Sequence, residues 1–146
     1  MYLTAIMDVY SRKILSWELS NSLSMDFCVR VFEEAVNKYG APEILNTDQG
    51  TQYTSLKFIE LVQSHKSQFS MDGKGRCLDN IWIERFWRTI KYDFIFLYEF
   101  KGGGNLYSGI KWFIEYYNED RCHSSLGNLT PNETYETSNL KFKKIA

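Results

Sequence analysis

The sequence predicts a mixed α/β fold, one sheet with helices on its faces, in the order ββ–α–β–α–β–α–α. Three observations predict it. Strand-length runs at residues 2–9, 14–19, 43–47 and 68–71 alternate with longer segments whose apolar residues recur every three or four positions. Strand-like and helix-like segments interleave, the pattern of a sheet covered by helices. The 146 residues, 44% hydrophobic and 24% charged, suit one soluble globular domain with a single core.

Each element has its own signal. Ala5, Met7 and Val9 alternate with Thr4, Ile6 and Asp8, and the link through Ser11 and Arg12 is short enough for a hairpin. Ile14, Trp17 and Leu19 continue the sheet. Ser24 or Asp26 caps a helix with Phe27, Val31, Ala35 and Tyr39 on one side, ended by Gly40 and kept from restarting by Pro42. After the third strand comes a helix over 55–65, with Phe58, Leu61 and Val62 as its apolar face. Residues 68–71 form a fourth strand, and the two glycines in 72–76 predict a mobile loop. Asp79 is the expected N-cap of the next helix. Gly102-Gly103-Gly104 reads as a hinge before a helix carrying Leu106, Ile110, Phe113, Ile114 and Tyr117. Beyond Glu119 a polar tail is expected, with a turn at Pro131 and a fraying end at Lys141, Lys143 and Lys144. The domain reading is a core over 1–118 and a C-terminal tail of the same domain over 119–146.

Bulk properties exclude several classes. No apolar run approaches a membrane span, and the N-terminus lacks a signal peptide's basic start and apolar middle. Cys28, Cys77 and Cys122 are odd in number and widely spaced, which disfavours a disulfide framework or zinc site and fits a reducing cytosol. A net charge of −1 does not advertise a nucleic-acid binder. Between residues 66 and 91, however, Lys66, Lys74, Arg76, Arg85, Arg88 and Lys91 outnumber Asp72, Asp79 and Glu84.

The chemistry centres on two acids. Asp48 lies just past the strand around Ile44 and Leu45, at the end where ligand and metal sites of α/β sheets sit. Glu84 falls in a helical pattern whose apolar stripe is Ile83, Phe86, Trp87 and Ile90, while Glu84, Arg88 and Lys91 recur at i, i+4, i+7 on another face. If the two carboxylates meet, they bind divalent metal. Mg²⁺ or Mn²⁺ held by oxygen ligands would serve phosphodiester cleavage, with Arg88 and Lys91 beside a phosphate backbone. Taken singly, Asp48 also reads as a turn cap and Glu84 as a solvated helix residue.

Several motifs in order carry a resemblance. Asn46-Thr47-Asp48-Gln49-Gly50-Thr51-Gln52-Tyr53, the thirty-five residues between Asp48 and Glu84, and Ser70-Met71-Asp72-Gly73-Lys74-Gly75-Arg76 before Asp79-Asn80 resemble the catalytic core of bacterial insertion-sequence transposases. That group has a core similar to retroviral integrases. Tyr117-Asn118, Arg121, His123-Ser124-Ser125-Leu126-Gly127 and Thr130-Pro131 resemble its C-terminal signature. The resemblance implies a ribonuclease-H-like fold, entered one strand late, and a three-carboxylate site. Asp48 matches the second acid and Glu84 the third, so both are the expected catalytic residues and metal ligands. The family's first acid lies on a strand upstream of the matched segment, as does its helix-turn-helix. Arg88 and Lys91 match basic positions that contact the DNA end, and Gln52, Lys74 and Arg76 complete the candidate DNA-binding set.

The implied activity is Mg²⁺-dependent cleavage of a DNA end by water, then strand transfer by the freed 3′-hydroxyl, weak or lost with two acids. Implied partners are transposon ends, target DNA and further copies of the chain, in the nucleoid region of a bacterial cytoplasm. Asp8 matches a different family position, and a structural role in its turn is expected. Two alternatives stay open: a catalytically dead module that binds DNA or pairs with a transposase, and a stand-alone nuclease using Asp8. Cys122 stands where the family often has proline, and His65-Lys66-Ser67-Gln68 lacks the small-residue turn usual there.

Overall fold

Parallel pairing of two short strands sets the position of Asp48. β3 (Ile44–Thr47) pairs with β4 (Gln68–Met71) in parallel, Asn46 opposite Ser70 and Thr47 opposite Met71. Parallel neighbours need a crossover, and α2 (Leu56–Ser64) supplies it. The structure is a computed structural model that describes residues 1–48, 50–71 and 80–145, with side chains described as far as 138. The other elements are β1 (Tyr2–Met7), β2 (Ile14–Ser20), α1 (Met25–Tyr39), α3 (Ile81–Asp93), α4 (Gly103–Glu119) and α5 (Pro131–Ile145). β1 pairs with β2. The expected Asp79 cap and 72–76 loop lie outside the described residues.

The described chain falls into two compact units. The first comprises Met1–Ile6 and Leu15–Glu84. Its core is Phe27, Cys28, Phe32, Phe58 and Val62, with Ile6 of β1, Leu45 of β3 and Phe69 of β4 packed against it. Each fully buried phenylalanine contributes about 1.5–3 kcal/mol relative to exposure. Both helices start where sequence places them: Ser24 Oγ accepts the Phe27 N–H and Ser55 Oγ the Phe58 N–H. Gly40 ends α1 at φ 86°, a conformation that favours glycine.

The second unit comprises Met7–Ile14 and Arg85–Ala146. Its buried residues include Ile14 of β2, Phe86 and Ile90 of α3, Phe94, and Ile110, Phe113, Ile114 and Tyr117 of α4. Phe94 stacks on Phe113 at 5.2 Å. Gly109 permits this packing, because a Cβ there would stand 2.9 Å from Phe100 and 3.0 Å from Phe94.

Three expectations need correction. β1 stops at Met7 rather than residue 9, because Asp8 closes a turn: its Oδ2 accepts the Ser11 N–H at 3.0 Å and hydroxyl at 2.5 Å. The glycine triplet is no free hinge, since Gly103 and Gly104 form the first turn of α4 behind Gly102. The tail carries a helix, α5, that starts at Pro131, where a turn was expected. Thr130 Oγ1 accepts the Glu133 N–H at 3.2 Å and donates to the Glu133 carboxylate at 3.0 Å, and Pro131 takes the first helical position.

Candidate active site

Asp48 emerges exposed from the carboxyl end of β3, after the buried Thr47. The loop that follows is built from turns. Gly50 donates its N–H to Asp48 Oδ1 at 2.8 Å, and its carbonyl accepts the N–H groups of Tyr53 and Thr54 at 2.9 and 3.1 Å. A Cβ on Gly50 would stand 2.9 Å from Asp48 Oδ1 and 2.9 Å from Gln52 Nε2, so the loop holds Asp48, Gly50 and Gln52 together. Tyr53 anchors it through a hydrogen bond of 3.0 Å between its hydroxyl and Thr4 Oγ1 on β1. Burial pushes the Tyr53 phenol up to about 12. Asn46, two residues before Asp48, has its Oδ1 buried without a hydrogen-bond partner among the described residues.

Glu84 lies exposed in the first turn of α3, its N–H bonded to the Asn80 carbonyl at 3.0 Å. Arg88 and Lys91 follow along the helix, both exposed. The Arg88 guanidinium sits over the Tyr92 ring at 5.9 Å. Of the sequence-derived DNA set, Gln52, Arg88 and Lys91 are described, while Lys74 and Arg76 lie outside the described residues, as do Gln49 and Cys77. Among the described residues no group of three or more His, Cys, Asp or Glu gathers as a metal cluster. The donors fit a hard cation, since both acids are exposed carboxylates that offer oxygen ligands.

Other motif residues have structural work. Asp8 is held by Ser11, as expected for a turn residue. Asn118 grips Ile14 at both backbone atoms, a role no local pattern could assign because the pair are 104 residues apart. His123 packs edge-on against Tyr117 at 5.1 Å, with Nε2 buried and unpartnered among the described residues. Burial, then the charges of Arg121 and Arg12, pull its pKa below the ordinary value. Cys28 is buried and Cys122 exposed. No helix among the described residues is long and apolar enough to cross a membrane.

The comparisons agree on a family. The Integrase core domain family matches residues 1–77, and a second family of the same description matches 65–131. The transposase for insertion sequence element IS904 of Lactococcus lactis is 35% identical over 136 residues, covering 91% of this chain and 54% of the relative. The chain spans about half the length of the curated relatives it matches. Among solved structures, the HTLV-2 integrase catalytic core domain in complex with magnesium superposes with a TM-score of 0.64 at 20% identity, over 86% of this chain and 77% of that one. A chain of the simian T-cell lymphotropic virus intasome, determined with PP2A regulatory subunit B56 gamma, gives 0.75 at 16% identity, over 90% and 47%. The fold is therefore that of integrase catalytic cores, ribonuclease-H-like, as the sequence resemblance implied.

Proposed function

This chain belongs to the integrase core domain family, and from that premise we propose that it is an insertion-sequence transposase core for metal-dependent DNA end cleavage and strand transfer. One observation carries the reading. Asp48 stands past the carboxyl end of a parallel strand on a loop that fixes one carboxylate oxygen, and Glu84 opens a helix whose same face continues as Arg88 and Lys91.

In this reading Asp48 and Glu84 hold Mg²⁺ or Mn²⁺. The cation, when bound, polarises the phosphodiester and lowers the pKa of bound water. The chain's residues supply the rest. Gly50 keeps Asp48 in one orientation, Gln52 offers a polar contact, and Arg88 and Lys91 hold backbone phosphates. The buried Asn46 Oδ1, unpartnered among the described residues, supports a strand end built to meet a further polar group. DNA ends, target DNA and further copies of the chain are the proposed partners.

Nicking of supercoiled plasmid in Mn²⁺ tests the reading. Nicking is expected to fall about tenfold or more in D48N or E84Q and to be unchanged in D8N. Nicking that survives both of the first two substitutions, or depends on Asp8, would overturn it. Cation affinity of the same variants reads the site where turnover is slow.

A further inference from the structure

Thr4 is a polar residue on an apolar face. It lies two positions before Ile6 on β1, on the side that packs against the core of Phe27, Phe32 and Phe58. It is 8% exposed, and its hydroxyl meets the Tyr53 hydroxyl at 3.0 Å. Valine and phenylalanine would fill the same space without burying two hydroxyls. Exchanging a hydrogen-bonded buried pair for apolar groups of the same shape is close to neutral for stability. Stability alone therefore does not account for the pair.

Its use follows from what Tyr53 holds at its other end. The Tyr53 N–H donates to the Gly50 carbonyl at 2.9 Å, and the Gly50 N–H donates to Asp48 Oδ1 at 2.8 Å. Hydrogen bonds thus run in series from the Asp48 carboxylate to β1, all inside the first unit. The Tyr53 ring also sits edge-on against the buried Phe58 at 5.5 Å, so ring and hydroxyl are both fixed. Burial keeps the phenol protonated up to about 12, so the bond persists wherever a carboxylate is ionised. We propose that Tyr53 is a positioning residue for Asp48: its hydroxyl, bonded to Thr4, fixes the loop so that the carboxylate meets a divalent cation already oriented. This rests on the reading of Asp48 as a cation ligand and adds to it the pair that orients the ligand. Partners one step behind a metal ligand set affinity by roughly 10–100-fold.

Calorimetric Mn²⁺ titration and thermal melts of the full chain test it in Y53F, T4V and the double variant. All three are expected to bind Mn²⁺ about tenfold more weakly, because they remove one and the same bond. The melts separate positioning from packing. Each single variant leaves a buried hydroxyl unpaired and melts lower, whereas the double leaves none and recovers toward wild type. Affinity that recovers along with the melting temperature makes the pair a stability feature and overturns the proposal. So does wild-type affinity in all three, or a hundredfold loss in the double, which would mean two independent effects. Binding that D48N abolishes and the three variants leave intact removes the positioning role while the Asp48 reading stands. Binding that D48N leaves untouched removes both.

Discussion

Gly50 donates its N–H to Asp48 Oδ1 at 2.8 Å and has no room for a side chain beside it, since a Cβ would stand 2.9 Å from that same oxygen. The atoms it would meet are the far ends of Asp48 and Gln52, which can swing aside. G50A is therefore expected to fold with an unchanged melting temperature while the displaced carboxylate binds Mn²⁺ about tenfold more weakly. Calorimetric titration alongside a thermal melt separates the two effects. A wild-type affinity would show that the Asp48 orientation is irrelevant to the cation.

Asn118 secures the link between β1 and β2. Its Oδ1 accepts the Ile14 N–H and its Nδ2 donates to the Ile14 carbonyl, each at 2.9 Å. N118A leaves both backbone groups without these partners and costs about 2 kcal/mol, given roughly 1–3 kcal/mol for an unsatisfied buried group. Urea unfolding should show a lower midpoint at constant slope.

What sequence could and could not disclose follows the range of each interaction. The α4 stripe of Ile110, Phe113, Ile114 and Tyr117 was legible because it needs only a helical period, and Ser24 was legible as a cap. α5 had a local signal too, Thr130 with Glu133 three residues on, hidden by reading Pro131 as a turn rather than a first helical residue. The end of β1 depended on the Asp8 side chain outcompeting strand continuation. Tyr53 to Thr4, separated by 49 residues, and Asn118 to Ile14 are tertiary contacts with no local trace. A meeting of Asp48 and Glu84 belongs to that class, and only the family pattern suggests it.

Alkaline pH probes the buried phenols. Burial raises both Tyr53 and Tyr117 from 10.0 to about 12. The unfolded chain releases these protons first, so their stability contribution is complete below about pH 10 and is lost as pH approaches 12. The urea midpoint should fall across that window, less steeply in Y53F. A midpoint that rises with pH there contradicts the burial of these hydroxyls.

Arg88 and Lys91 are expected to contact phosphate rather than bases. R88Q and K91Q should weaken duplex binding for any sequence, each lowering the slope of log affinity against log salt by about 1. Sequence-dependent losses at constant slope would reassign them to base contacts.

The central claim is that one cation binds both acids. Backbone amide NMR during Mn²⁺ titration reads this directly, because the paramagnetic ion broadens only nearby signals. The account predicts that Gly50 and Glu84 broaden together at the same low Mn²⁺ concentration, and that D48N abolishes the broadening at Glu84. Broadening at one of the two positions alone, or at Glu84 undiminished by D48N, contradicts it.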